Sequence, residues 1–274
     1  MNLNKVRYVK YLTLFFCLFV GGCSSSKDRL EEAQVIGKNC GFESQKIQTS
    51  VYDLMMFLKR GDPHRIHLYL EGDGFAWFNT YEIAEDPTPE DPTGFRLACE
   101  DLSGATIVYL TRPCHYGLMR GCTSLDWTFG RFSQKILDAY FELMDALKAQ
   151  YQTATFQLYG YSGGGFLALL LGENRSDITK ITTFAGNLDH AAWTAYHGYS
   201  PLTGSLTVDD FEALSKIEQI HYTGVMDTEI PFGLSKTYKN HFKGHGNLKF
   251  IPIEEYGHVS DWPSVWAADS VNNS

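Results

Sequence analysis

Short apolar runs separated by amphipathic stretches set the layout of this chain. Ile47, Val51 and the run Leu54–Leu58 predict a strand between Lys46 and Arg60, closed by Gly61-Asp62-Pro63, with Ile66–Leu70 as its hairpin-like partner. Residues 76–100 hold Asp86-Pro87-Thr88-Pro89-Glu90-Asp91-Pro92, whose prolines forbid a long regular element, so a loop is expected there. Thr106–Leu110 reads as a third strand. From Ser133 to Tyr151, Ile136, Tyr140, Leu143, Met144 and Leu147 recur at helical spacing while Lys135, Asp138, Glu142, Asp145 and Lys148 take outward positions, which predicts an amphipathic helix. Further strands are expected at Thr155–Leu158, Ile178–Ala185, Ile217–Val225 and Leu248–Ile253. Helices are expected after Ser162, at Leu234–Phe242 and around Trp262 and Trp266. Gly186 to about Leu206 carries Trp193, Tyr196, His197 and Tyr199 and reads as a small cap insertion. Strands alternating with helices predict the α/β class, a mostly parallel central sheet with helices on both faces, in one domain over residues 39–274.

The first residues change that picture. Lys5, Arg7 and Lys10 precede an apolar run from Tyr11 to Val20 that is too short to span a bilayer and has the flanks of an export signal. Val20-Gly21-Gly22-Cys23 looks like a bacterial lipobox, so residues 1–22 are expected to be removed, Cys23 to be lipidated and residues 23–38 to form a tether, with Ser24 to Glu32 as its polar part. Removal leaves 252 of 274 residues, and because residues 1–22 carry three positive charges and no negative ones, the formal charge moves from −9 to −12. An acidic chain of this size speaks against nucleic acid and against electrostatic binding to anionic lipid, which leaves the acyl anchor to hold the membrane. The expected location is a bacterial cell envelope, and Ser24 after the lipidated position favours the outer membrane.

Of six cysteines, Cys17 leaves with the signal and Cys23 takes lipid, so Cys40, Cys99, Cys114 and Cys122 remain in an oxidising compartment. Four cysteines allow three pairings. Cys114 and Cys122 would close a small loop containing Gly117 and Gly121, which favours that link and, by elimination, Cys40–Cys99. A zinc site would need closer cysteine spacing than the chain has, and neither metal nor cofactor is expected.

The chemistry centres on Gly160-Tyr161-Ser162-Gly163-Gly164, set between the strand and the helix. A serine on so tight a turn takes a strained conformation that leaves no room for side chains two residues before and after, hence Gly160 and Gly164. The turn presents the hydroxyl and puts the free Gly163 amide of a helix start where a negative oxygen would form. Asp227 ends one later strand and His258 follows the last, which gives the order Ser162, Asp227, His258 at one edge of the sheet. Asp189 and Asp261 compete with Asp227; Asp189 could equally cap a helix.

Over nearly all of the mature sequence the chain resembles the α/β-hydrolase family, through Gly160–Gly164, the Asp227 strand end and Gly257-His258. More narrowly it is similar to a group of bacterial envelope lipoprotein α/β hydrolases, through Leu70-Glu71-Gly72-Asp73-Gly74, Arg112-Pro113-Cys114-His115-Tyr116 and Ala185-Gly186-Asn187-Leu188-Asp189. The resemblance implies the α/β-hydrolase fold and a serine hydrolase, without naming its substrate. It also implies that the 71–75 loop supplies a second oxyanion amide, with Asp73 favoured over Gly74, although Glu71 stands where many relatives have histidine. A carboxylic ester hydrolase of esterase or lipase type, acting through an acyl-enzyme on a small-molecule or lipid acyl substrate, is the expected activity. A serine peptidase and a hydrolase-fold binding lipoprotein without turnover are the alternatives.

Overall fold

Side chains alternate across a strand, so what each face of the sheet carries decides how the layers build. The computed structural model describes residues 25–151, 155–242 and 247–272; the expected export signal, Cys17 and Cys23 lie outside the described residues. In chain order come helix α1 (Ser26–Asn39), strands β1 (Glu43–Gln48), β2 (Asp53–Lys59) and β3 (Asp62–Leu70), and a small hairpin of β4 (Trp77–Asn79) and β5 (Glu82–Ile83). Then follow α2 (Thr93–Cys99), β6 (Ala105–Leu110), α3 (Gln134–Gln150), β7 (Thr155–Tyr161), α4 (Gly163–Asn174), β8 (Ile178–Phe184) and α5 (His190–His197). The chain closes with α6 (Phe211–Ser215), β9 (Glu218–Gly224), α7 (Phe232–Lys239), β10 (Leu248–Ile253) and α8 (Trp262–Asn272). Eight strands form one sheet in the order β1-β2-β6-β3-β7-β8-β9-β10. Pairings β1–β2 and β2–β6 are antiparallel and the others parallel, as the alternating pattern predicts.

One face of this sheet is mostly aliphatic and the other mostly aromatic. Leu54, Met56, Ile66, Leu68, Val108, Leu110, Phe156 and Leu158 pack under α3 and α4. Their neighbours in sequence, Phe57, Tyr69, Tyr109, Tyr159 and Tyr161, turn to the other face, where α1, α2 and α8 bring Ala33, Phe95, Trp262 and Trp266. Tyrosines buried this way need partners for their hydroxyls. Tyr69 donates to Asp101 Oδ2 at 2.8 Å, Tyr109 to Glu71 Oε2 at 2.9 Å and Tyr159 to Gln157 Oε1 at 3.0 Å.

Three expectations are corrected here. Residues 46–60 hold two strands rather than one, because Thr49 turns the chain: its hydroxyl accepts from the amides of Val51 at 3.3 Å and Tyr52 at 2.9 Å. β3 is not the hairpin partner of β2; β6 inserts between them, and a strand whose residues Ile66–Leu70 are all buried belongs inside a parallel sheet rather than on a hairpin arm. The stretch read as a tether is mostly helix α1. Ser25 and Asp28 cap it reciprocally, and the lack of a side chain at Gly37 lets it close onto the rings of Phe57 and Phe95. The disulfides are Cys40–Cys99, joining the ends of α1 and α2, and Cys114–Cys122.

Candidate active site

The strand-to-helix turn at Ser162 has φ 51° and ψ −120°, a left-handed strain that no side chain favours. It is held by its own backbone: Ser162 N donates to Phe184 O at 3.1 Å, and Ser162 O accepts from Gly165 N at 3.0 Å and Asn187 N at 2.9 Å. The flanking glycines answer to close approach. A Cβ at Gly160 would overlap the Gly164 carbonyl, and one at Gly164 would overlap the Leu70 carbonyl at the end of β3.

His258 comes to this turn from the loop after β10. Its Nε2 lies 3.0 Å from Ser162 Oγ and its Nδ1 2.9 Å from Asp227 Oδ2. A carboxylate can only accept, so Nδ1 carries the ring proton and Nε2 is left to accept from the serine hydroxyl. The second oxygen of Asp227 accepts from the amides of Glu229 and Ile230, both at 2.8 Å. The His258 backbone is pinned as well, its carbonyl accepting from Trp262 Nε1 at 2.9 Å and Tyr161 Oη at 3.1 Å. Asp189 is elsewhere, capping α5 through the amides of Ala191 and Ala192, and Asp261 accepts from Ser264 N at 3.3 Å.

The loop after β3 lies against the turn, and its side chains take roles that the sequence did not announce. A Cβ at Gly72 would sit 3.3 Å from that of Ser162, whereas Gly74, at φ 67°, meets Pro87 and His115. Asp73 reaches over Gly163, which has to be glycine here because a Cβ would overlap the carboxylate. Two arginines hold that carboxylate: Arg112 Nη1 at 3.1 Å from Oδ1 and Arg131 Nη1 at 2.7 Å from Oδ2, with side chains only 5% and 7% exposed. Burial works to raise the Asp73 pKa, but the Arg131 and Arg112 charges outweigh it and hold it below the usual value. Two cations thus hold one anion beside Gly163. The amides of Gly163 and Asp73 donate to no described residue.

Glu71, where a histidine was the expected family residue, is a buried cap. It accepts from Gly72 N at 2.9 Å and Gly94 N at 3.1 Å, so it fixes the loop to the start of α2, whose Pro92 offers no side-chain cap. Its pKa is raised, chiefly by burial. His115, buried against Gly74, has its pKa pushed down to about 3 by burial and by the Arg112 charge. The cap insertion runs along the same edge: Trp193 Nε1 donates to Glu229 O at 2.9 Å and Leu206 N to Phe132 O at 3.0 Å. Among the described residues, no group of three or more His, Cys, Asp or Glu could hold a metal ion.

This sheet order, with a serine at a strained turn after β7 and its partners after β9 and β10, defines an α/β-hydrolase fold, and solved structures agree. The chain is similar to an alpha-beta serine hydrolase homologue from Coxiella burnetii, at 14% identity and a TM-score of 0.53 over 84% of this chain and 96% of that one. It is similar to a membrane phospholipase A described as a bacterial virulence factor, at 13% identity and a TM-score of 0.57 over 90% and 92%. A third, an acylaminoacyl peptidase from Pyrococcus horikoshii, gives 10% identity and a TM-score of 0.58 over 87% of this chain and 42% of that one. No protein-family model and no curated protein matches the sequence. The chain has the α/β-hydrolase fold.

Proposed function

We propose that this chain is a serine hydrolase acting through an acyl-enzyme, that its substrates are carboxylic esters, and that Cys23 carries a lipid anchor to a bacterial cell envelope. One observation carries the chemistry: the His258 ring spans Ser162 Oγ at 3.0 Å and Asp227 Oδ2 at 2.9 Å. Ser162 Oγ attacks the ester carbonyl carbon while its proton passes to His258 Nε2, and Asp227 orients the ring and balances its positive charge. The negative oxygen of the tetrahedral intermediate is met by the Gly163 amide at the start of α4 and by the Asp73 amide. Collapse breaks the carbonyl carbon–alkoxy oxygen bond, and the alcohol leaves with the proton from His258. Water deprotonated by the same nitrogen then attacks the acyl group on Ser162, and the carboxylic acid departs. Among the proteins of similar fold, the membrane phospholipase A supports the ester reading, and the acylaminoacyl peptidase marks the amide alternative.

A fluorophosphonate probe tests this. Wild-type protein should label, and Ser162→Ala should lose labelling and about 10⁴-fold or more of turnover while keeping its fold. A panel of acyl esters and peptides then separates the chemistries. Peptide cleavage without ester turnover would make it a peptidase, and wild-type protein that does not label would refute the hydrolase reading in favour of a binding lipoprotein.

A further inference from the structure

α1 starts on the rim of the site. Ser26 Oγ donates to Asp86 Oδ2 at 2.7 Å and Arg29 Nη1 donates to Thr88 O at 2.6 Å, which fastens the helix start to the 84–92 loop. That loop is the wall behind the site: Phe75 N donates to Pro87 O at 2.9 Å, and Gly74 is packed against Pro87 and His115. Two residues further back, Gly72 faces Ser162. The far end of α1 is tied by Cys40–Cys99 to the far end of α2, whose own start is capped by Glu71 at the site, so both helices run away from the same edge. Cys23 is two residues before Ser25, and two residues span at most about 7 Å, roughly the depth of one lipid headgroup layer.

The same rim carries exposed aromatic and apolar side chains. The β4–β5 hairpin grows out of the 75–87 stretch whose base α1 clamps, and it presents Phe78 at 67% and Tyr81 at 94% exposure. Val259 beside His258 and Met226 beside Asp227 are 90% and 63% exposed at the same strand ends. Aromatic rings with a polar end are the side chains that settle at headgroup depth. Charge offers no other attachment, since Glu82, Glu85, Asp86, Glu90 and Asp91 make this stretch acidic.

We infer that the lipid anchor and the active site share one face, so that the site opens onto the bilayer holding Cys23 and draws its acyl ester from that bilayer. The inference rests on the lipidation and hydrolase readings above. The anchor is too short and its first helix too firmly fixed for the site to face away, and the hairpin rings set its depth. Attachment on these terms is insensitive to salt, because it uses acyl chains and aromatic surface rather than lipid charge.

The test uses the full acylated chain on phosphatidylcholine vesicles carrying a nitroxide-labelled lipid, with an environment-sensitive fluorophore on Tyr81→Cys or on Gln150→Cys at the opposite edge. The Tyr81 site should be quenched several-fold more than the Gln150 site. Equal quenching, no quenching at Tyr81, or protein that does not attach to vesicles would overturn the proposal. In parallel, Phe78→Ser with Tyr81→Ser should lower turnover of a vesicle-borne ester about tenfold and leave a soluble short-chain ester and probe labelling unchanged. Unchanged vesicle turnover would also overturn it. If the wild type attaches and quenches as expected but fails to label, the hydrolase reading falls and the shared face stands.

Discussion

Asp73→Asn removes one charge from a site where shape is otherwise kept, and the structure gives its cost. Arg112 and Arg131 are 5% and 7% exposed, and Asp73 is the carboxylate that both reach. Removing one partner of a buried ion pair typically costs about 3–5 kcal/mol, because the remaining charge is left without compensation. Asparagine still offers one acceptor oxygen, which argues for the lower end, about 3 kcal/mol. At about 2–4 °C per kcal/mol for a domain of this size, the melting temperature should fall by about 6–12 °C at pH 7. The pH dependence identifies the cause. The Asp73 pKa in the fold lies below its unfolded value, so its contribution is fully present above about pH 4 and is lost as the pH falls through the lower folded value. Calorimetry on both proteins should therefore show a gap that is constant at neutral pH and narrows below about pH 4. Arg131→Met added to Asp73→Asn should recover part of the loss by removing an uncompensated cation. A fall under about 2 °C at pH 7, or a gap that does not narrow in acid, would refute a charge-pair role for Asp73.

The other predictions concern the proposed relay and the buried histidines. Asp227→Asn should keep the fold and lose about 10⁴-fold in kcat, because an amide can stabilise the wrong histidine tautomer, whereas Asp189→Asn should change turnover little, since asparagine caps a helix about as well as aspartate; ester kinetics on the two variants decide, and swapped behaviour would give the role to Asp189. His115 and His221 have pKa values pushed down to about 3, both chiefly by burial, so below about pH 6.5 the unfolded chain takes up protons that the fold refuses. Stability should fall with acidification between about pH 6.5 and 4, by up to about 1.4 kcal/mol per pH unit for each histidine. Urea melts at stepped pH measure it, and a flat profile would contradict the burial of both rings.

Periodicity was enough for the parallel core because helices separate each strand there from the next, as they do β7, β8, β9 and β10. It failed at the antiparallel edge. The one-turn break at Thr49 lies in the polar stretch Gln48-Thr49-Ser50, which falls between Ile47 and Val51 and so passes for the outward positions of one alternating strand, and nothing local says that β6, from some forty residues downstream, will part β2 from β3. The start of α1 was legible in Ser25-Ser26-Lys27-Asp28, a capping-box pattern hidden by the polar composition around it. At the site, the serine turn and the histidine loop could be read because strain and strand ends leave signatures. Arg131 could not, since an arginine between Gly130 and Phe132 gives no hint of a carboxylate fifty-eight residues earlier.

The backbone aims the turn Gly224-x-x-Asp227 at the last loop. The parallel pairing of β9 with β10 ends at Gly224 and Ile253, yet the two loops stay joined: Val225 N donates to Ile253 O at 3.1 Å and Met226 N to Tyr256 O at 2.9 Å. This approach requires glycine, because a Cβ at Gly224 would overlap the Tyr256 carbonyl. Asp227 is therefore one residue beyond Met226 and His258 two beyond Tyr256, so the Met226–Tyr256 hydrogen bond brings the two side chains together. Ser162 belongs to the same frame, since Ala185 N donates to Tyr222 O at 3.0 Å and ties β8, which holds the serine turn, to β9. A fixed 3.0 Å reach between Ser162 and His258 across 96 residues of sequence follows from adjacent strands, which is why chain order alone pointed to these three residues.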